Sequence, residues 1–405
     1  MTYSAVFPHH RYCDAPPASP FMSVRAEAGP EVGSPAFYAA MAPLGDQLRR
    51  AGVSAVYLVH GTFVGMDVLG ILGELARVMP RAGNAMRRLV AQVVTQITGD
   101  AGNYSAAYAR IMHEALNPPG SSPLPVRLFH WSGENHHLGR ADGAIRLLAE
   151  LADHWHSDGS RVLLWGHSHG GNIFALISNL LAGPREALDR FFRATEVYWR
   201  WPVLKCVDIP VWNQVRQMLM GETHCPIDAQ RLDFVTFGTP VRYGWNPAGF
   251  GRLLHFVHHR PTPGLPAYRA PFPPKWHRVV AGADGDYVQQ LGIAGTDFMP
   301  SVLFVREWLA DHRLRSILCD ENIDAGGMLQ RFRAGRIVPD AGTTLLVDYG
   351  PPQGGPIRHL AGHAVYTRKK WMLFHLAESV RRLYQQPESA DSGQPAASAE
   401  SCTGR

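Results

Sequence analysis

Lysine is scarce in this chain of 405 residues, where the only lysines are Lys205, Lys275, Lys369 and Lys370. Positive charge therefore comes almost entirely from arginine, and the formal net charge of +5 is a mild excess over such a length. No block of basic residues is interleaved with aromatic residues, as a nucleic-acid-binding surface would require. The composition therefore argues against a nucleic-acid partner.

Cysteine is also sparse, with five residues scattered along the chain and none at Cys-x-x-Cys spacing. This pattern argues against a disulfide framework and a structural zinc site. Residues 1–21 lack the basic start and apolar run of a signal peptide, and no stretch approaches about 18 uninterrupted apolar residues. We therefore expect a cytoplasmic protein with reduced thiols. Nothing in the sequence indicates its oligomeric state.

A hydrophobic content of 46% and a charged content of 18% are typical of a globular chain with a large core. Residues 1–35 are rich in proline, alanine and serine and predict a flexible arm, whereas residues 387–405 are small and polar and predict a disordered tail. Between them, residues 36–386 alternate buried strands with helical patterns. This alternation predicts one α/β domain, with a mostly parallel central sheet and helices on both faces.

The most informative stretch is Gly166-His167-Ser168-His169-Gly170. An apolar run, 162–165, precedes it, and a helical pattern starts at Ile173. A serine on such a sharp strand-to-helix turn is strained, and the glycines must lack side chains where strand and helix crowd together. The turn exposes the serine hydroxyl above the sheet, beside helix-terminal amides that can stabilise an oxyanion.

This pentapeptide resembles the nucleophile elbow of the α/β-hydrolase superfamily, and in particular of its lipase-like and esterase-like members. The resemblance covers roughly residues 53–384 and implies the α/β-hydrolase fold, with Ser168 as the nucleophile. A second segment, His60-Gly61-Thr62, follows a predicted strand and resembles the oxyanion loop of lipases. The resemblance then implies that the backbone N–H groups of Thr62 and His169 form the oxyanion hole.

Two further segments add to this expectation. Residues 231–240 resemble the lipase strand that follows the elbow helix. The loop after the predicted strand 126–131 carries Asn135, which we expect at the carboxyl end of the sheet, where substrates bind. His60, in the segment His60-Gly61-Thr62, and His167, in the pentapeptide around Ser168, are also expected to contact the substrate.

A serine nucleophile needs a histidine base and a carboxylate, which follow it in the order Ser, Asp or Glu, His in this superfamily. Two histidines, His359 and His363, follow the last predicted strand. His363 is preferred because it lies in a small-residue loop just before the final helix, which resembles the histidine loop of the family. His375, inside that helix, is interpreted as structural.

The acid is expected after a predicted strand at 278–281, where Asp284, Asp286 and Asp297 compete. Asp286-Tyr287-Val288 resembles a turn seen after this strand in lipases, so Asp286 is the preferred acid. Asp284 fits a turn residue before glycine, and Asp297 fits the cap of a following helix. These alternatives stay open at the level of sequence.

Two insertions are expected, at about 66–120 and 184–226. The first is a lid-like segment or two packed helices. The second is rich in aromatic residues, arginine and methionine; the resemblance implies a helical cap there, either a lid that contacts lipid or an ordinary buried core.

Together these features predict a serine hydrolase that cleaves carboxylic esters and needs neither a cofactor nor a metal. We expect a small-molecule or lipid ester as substrate and a transient contact with a membrane surface. Two alternatives remain from sequence alone. One is an acyltransferase on the same triad, and the other is a non-catalytic binding or scaffold protein with this fold.

Overall fold

The computed structural model describes residues 7–9, 15–62, 103–156, 158–201, 208–295, 297, 300, 304–318, 325–351 and 359–385. The predicted tail at 387–405 and most of the predicted insertion at 66–120 lie outside these residues.

The described residues contain a seven-stranded sheet in which every neighbouring pair of strands is parallel. Its order is β1-β7-β6-β5-β4-β2-β3. The strands are β1 (Phe21–Arg25), β2 (Val53–Val59), β3 (Val126–Phe129), β4 (Arg161–His167), β5 (Leu232–Phe237), β6 (Arg252–His258) and β7 (Thr343–Asp348).

Helices connect these strands. They are α1 (Pro35–Arg50), α2 (Ala106–Leu116), α3 (His137–Asp153), α4 (His169–Ala182), α5 (Arg185–Trp199), α6 (Pro210–Leu219), α7 (Trp276–Val280), α8 (Tyr287–Ala294), α9 (Val305–Leu318), α10 (Ala325–Ala334) and α11 (Met372–Tyr384). A 3-10 segment at Leu360–Val365 precedes α11.

Helices cover both faces of the sheet because successive residues of each strand point to opposite sides. On β4, Leu164 belongs to a core shared with α3, α4, α5, α6 and α9. The next residue, Trp165, belongs to a second core shared with α1, α2 and α11. Both residues are fully buried. The prediction of an α/β fold with a parallel sheet and helices on both faces is thereby confirmed.

Two local predictions differ from the structure. Residues 21–25, assigned by sequence to the flexible arm, form the edge strand β1 and pair with β7. Residues 278–281, predicted as a strand, belong mostly to the short helix α7. A strand formed by these residues could not join the sheet beside β6, because β5 pairs with one edge of β6 and β7 pairs with the other.

The predicted cap segment at 184–226 contributes α5 and α6, whose large aromatic residues are interior. Trp212 is fully buried, and its ring stacks with Phe191 at 6.0 Å and Trp199 at 6.4 Å between centroids. Its indole N–H donates to Asp142 of α3 at 2.8 Å. Packing and a hydrogen bond therefore attach this segment to the main core.

His375 of α11 lies in the second core, and its burial has a measurable consequence. Burial lowers the pKa of His375 to about 3, and the Tyr349 hydroxyl lies 2.7 Å from Nε2. The pKa in the unfolded chain is about 6.5, so stability is lost as pH falls below that value, because only the unfolded state binds the proton. We expect urea unfolding at pH 5 to show a loss of about 2 kcal/mol from this residue relative to pH 7.

The matched variant is His375→Gln, whose amide can either donate to or accept from the Tyr349 hydroxyl. Its loss of stability between pH 7 and pH 5 should be smaller than that of the wild type by this amount. Equal losses in the two proteins would contradict the prediction.

Candidate active site

Ser168 occupies a strained turn between β4 and α4. Its backbone has φ 51° and ψ −127°, a region that residues other than glycine enter at a cost of about 1–3 kcal/mol. Two bonds from the end of β5 hold it there. The Ser168 N–H donates to the carbonyl of Phe237 at 2.8 Å, and the hydroxyl of Thr239 donates to the carbonyl of Ser168 at 2.8 Å. The sequence prediction of a strand, a tight turn and a helix is confirmed here.

Glycine is required at two points around this turn. A Cβ on Gly170 would lie 2.8 Å from the carbonyl oxygen of Val59, so α4 could not approach β2 as closely. A Cβ on Gly61 would lie 2.6 Å from the Cβ of Ser168. The loop that contains His60, Gly61 and Thr62 therefore lies directly against the serine.

The topology of the sheet places this contact where ligands bind in parallel α/β proteins. From β2 the chain crosses to β3 on one side and then returns to β4 on the other side of β2. Such a switch opens a crevice at the carboxyl ends of the two strands. Ser168 follows β4 and Gly61 follows β2, so both lie at this crevice.

His363 and Asp286 are brought together from distant parts of the chain. The His363 Nδ1 lies 2.7 Å from the Asp286 Oδ2, and both side chains are almost fully buried. The ring of His363 also contacts His167, the neighbour of Ser168, with 4.6 Å between centroids. The loop before His363 has positive φ at Leu360, Ala361 and Gly362, and this unusual backbone brings the imidazole to the site.

The orientation of Asp286 is fixed by backbone groups. Its N–H donates to the carbonyl of His258, at the end of β6. Its Oδ1 accepts the N–H of Gln289 at 2.9 Å and caps α8. The Oδ2 is left to face His363. The cap bond and the histidine contact therefore use different oxygens of one carboxylate.

The two competing aspartates have other partners. Asp284 accepts hydrogen bonds from Arg278 and Tyr287; the Arg278 bond is the main cause that lowers its pKa. Asp297 lies between Arg140 and Arg242. His359 is buried, but within the described part of the chain it pairs with none of the three. Of the three expected acids, Asp286 is the one whose carboxylate contacts the His363 ring.

The residues expected to contact substrate occupy different environments. His60 is buried and stacks on Trp131, and its Nδ1 lies 2.7 Å from the carbonyl oxygen of Gly61. Burial lowers its pKa to about 3, so the ring is neutral. His167 is buried beside His363, and the Asn135 side-chain oxygen accepts from Arg140 at 3.0 Å. Thr62 follows Gly61 in the loop against Ser168, and its hydroxyl is buried without a hydrogen-bond partner among the described residues.

The sequence did not predict a buried ionic network, formed by Arg140, Arg242 and Asp297, next to the His169 ring. Arg140, on α3, is fully buried. It donates to Asp297 at 2.8 Å and to the hydroxyl of Tyr243 at 2.7 Å. Arg242 also binds Asp297. Burial opposes ionisation of Asp297, but the guanidinium groups of Arg140 and Arg242 outweigh it and hold its pKa well below the usual range.

One signal in the sequence could have revealed Arg140. It occupies the same helical face as Ala144, Leu148 and Leu151, which are all buried. A charged residue on an apolar stripe either interrupts the stripe or is paired inside the protein. Its partner, Asp297, is too distant in sequence to be recognised by spacing.

Two further features are absent from the residues described above. In that part of the chain, no group of three or more His, Cys, Asp and Glu side chains could hold a metal ion. None of its helices is both long and apolar enough to cross a membrane.

No protein-family model, curated protein or solved structure matches the chain. Functional assignment therefore depends on the geometry around Ser168.

Proposed function

We propose that this protein is a serine hydrolase that cleaves carboxylic esters, with Ser168, His363 and Asp286 as its triad. The observation that carries the proposal is the 2.7 Å contact between His363 and Asp286, together with the strained backbone of Ser168 beside them. A carboxylate on Nδ1 fixes the imidazole tautomer in which Nε2 can accept a proton. A binding protein has no need for this combination.

In the proposed mechanism, Ser168 Oγ attacks the acyl carbon while His363 Nε2 accepts the hydroxyl proton. Asp286 remains ionised and stabilises the imidazolium. The N–H groups of Thr62 and His169 bind the oxyanion, assisted by the positive end of the α4 dipole. His363 then returns its proton to the departing alcohol. Finally it activates water, which releases the acid and frees Ser168.

We also propose that the fold is that of the α/β-hydrolases. Three observations support this assignment: the elbow between β4 and α4, the adjacent loop after β2, and the chain order Ser168, Asp286, His363. We propose α5 and α6 as the cap segment of this fold. Their buried aromatic rings support a cap that packs on the main core.

Labelling with a fluorophosphonate probe tests the proposal, because such probes react only with an activated serine. We expect the folded protein to be modified, and mass spectrometry to locate the adduct on the peptide that contains Ser168. Labelling should be lost in Ser168→Ala and retained in Ser160→Ala, the matched control just ahead of β4. Heat-denatured protein should not react.

Ester hydrolysis must accompany labelling. The wild type should cleave an ester series that Ser168→Ala leaves intact. If the folded wild type neither reacts with the probe nor cleaves any ester, with and without detergent micelles to open a closed cap, the proposal is wrong.

A further inference from the structure

The imidazole of His169 is held in a single tautomer. Its Nδ1 lies 3.0 Å from the side-chain nitrogen of Asn172 and 3.4 Å from a guanidinium nitrogen of Arg140. The amide oxygen of Asn172 accepts the N–H of Arg242, which fixes the orientation of this amide. Both neighbours of Nδ1 are donors, so Nδ1 must accept. The ring proton therefore lies on Nε2.

The same surroundings keep this ring neutral. Burial lowers the pKa of His169 well below its usual range, and the charge of Arg140 lowers it further. His169 is therefore a permanent neutral donor at ordinary pH, rather than an acid or base. Beyond its backbone N–H, His169 can therefore contribute a hydrogen bond donated from Nε2.

The Nε2 edge of the ring faces away from the network that holds Nδ1. It makes no hydrogen bond with any described residue, although the side chain is almost fully buried. His169 directly follows Ser168 in the chain, and the His363 ring contacts His167 on the other side of that serine, so His169 lies at the candidate site. Nε2 is not one of the side-chain atoms that are fully enclosed without a partner, so it remains accessible, and an acceptor on a ligand can take its hydrogen bond.

The charges around His169 indicate what kind of acceptor fits. In the network beside His169, Arg140 and Arg242 contribute two positive charges and Asp297, which pairs with both, contributes one negative charge. The network thus carries one net positive charge, and its Arg140 approaches the Nδ1 side of the ring. In a buried site, an anionic acceptor gains more from such a field than a neutral one.

We propose that His169 Nε2–H is a specificity-determining donor that recognises a carboxylate on the acyl part of the substrate, so that half-esters of dicarboxylic acids are preferred. This inference rests on the proposed ester hydrolysis. In it, Arg140 and Asn172 are positioning residues: they fix the tautomer and the charge of the environment without contacting the substrate.

The test compares matched esters. Monoethyl succinate, glutarate and adipate are each assayed against the ethyl ester of the monocarboxylic acid of similar length. For at least one chain length we expect kcat/KM to favour the half-ester by about 10- to 100-fold, the value of a charge-assisted hydrogen bond. A wild type that prefers the neutral ester at every length, or treats each pair alike, overturns the inference without any variant.

Variants identify the donor. Because His169 also supplies a backbone N–H to the oxyanion hole, the readout is the ratio of kcat/KM within a pair, not the absolute rate. His169→Leu should bring this ratio close to one, and His169→Gln, which keeps a side-chain N–H donor, should restore much of it. A ratio that His169→Leu leaves at the wild-type value assigns the preference elsewhere and overturns the proposal.

Failure of the inference is distinguishable from failure of the proposed function. If Ser168 is not labelled and no ester is cleaved, the hydrolase assignment itself fails. If Ser168 is labelled but no ester in the series is cleaved, the free dicarboxylates are tested as protectants of Ser168 against the probe. Protection by a dicarboxylate, but not by the matching monocarboxylate, supports the inference, and equal protection or none overturns it.

Discussion

Replacing Asp286 with asparagine is expected to lower kcat for ester hydrolysis by about 10⁴-fold with the fold intact. The cap of α8 explains why the amide cannot substitute. Oδ1 accepts the N–H of Gln289, so the amide oxygen will take that position and the NH₂ group will face His363. An N–H opposite Nδ1 selects the tautomer with the proton on Nε2. That tautomer cannot accept the proton of Ser168. The measurement is steady-state kinetics, with the thermal midpoint as the check of folding.

The matched control is Asp284→Asn, two residues away. Its carboxylate binds Arg278 and Tyr287 instead of a histidine. We therefore expect kcat to stay close to the wild-type value. If folded Asp286→Asn retained most of its activity while Asp284→Asn lost it, the assignment of the acid would have to be reversed.

Some of this site was readable from sequence because the determinants are local. The elbow at Ser168 combines an apolar strand, two glycines and an amphipathic helix within about twenty residues, and each feature depends on its neighbours in the chain. Periodicity and turn chemistry are sufficient for such a motif. The same holds for the loop at Gly61, which follows a clearly apolar strand.

The position of Asp286 was harder to predict because it depends on tertiary pairing. The sequence predicts that Asp286 follows a strand at 278–281, but residues 276–280 form the helix α7. Asp286 is instead held at the end of β6, where its N–H donates to the carbonyl of His258. The residue was found through its resemblance to a lipase turn. The strand reasoning that accompanied it was wrong.

The network around Arg140 was missed for a related reason. Arg140 and Asp297 are separated by 157 positions, and only the folded chain shows that they meet. Sequence neighbours alone favour Asp297 as a triad acid or a helix cap. In the structure its carboxylate lies between two buried guanidinium groups, so its main interactions are the ion pairs with Arg140 and Arg242.

Asp297→Asn is expected to lower the free energy of unfolding by about 3–5 kcal/mol, because it leaves two buried arginines without their shared carboxylate. Arg140 is fully buried and Arg242 nearly so, so solvent cannot replace the missing charge. Urea unfolding with an unchanged m-value measures the loss. The control is Glu186→Gln, which breaks the exposed ion pair with Arg190 on α5 and should have a much smaller effect.

A second consequence of Asp297→Asn separates stability from chemistry. Removal of the carboxylate makes the electrostatic potential at His169 more positive but removes no contact of His363. The protein that remains folded at low temperature should therefore keep its triad and still react with the fluorophosphonate probe. A variant that is as stable as the wild type would show that the guanidinium groups have other counter-charges. A folded variant in which Ser168 no longer reacts would instead mean that Asp297 supports the triad directly. Stability lost with Ser168 still reactive is the result that the geometry predicts, because Asp297 contacts Arg140 and Arg242 and not His363.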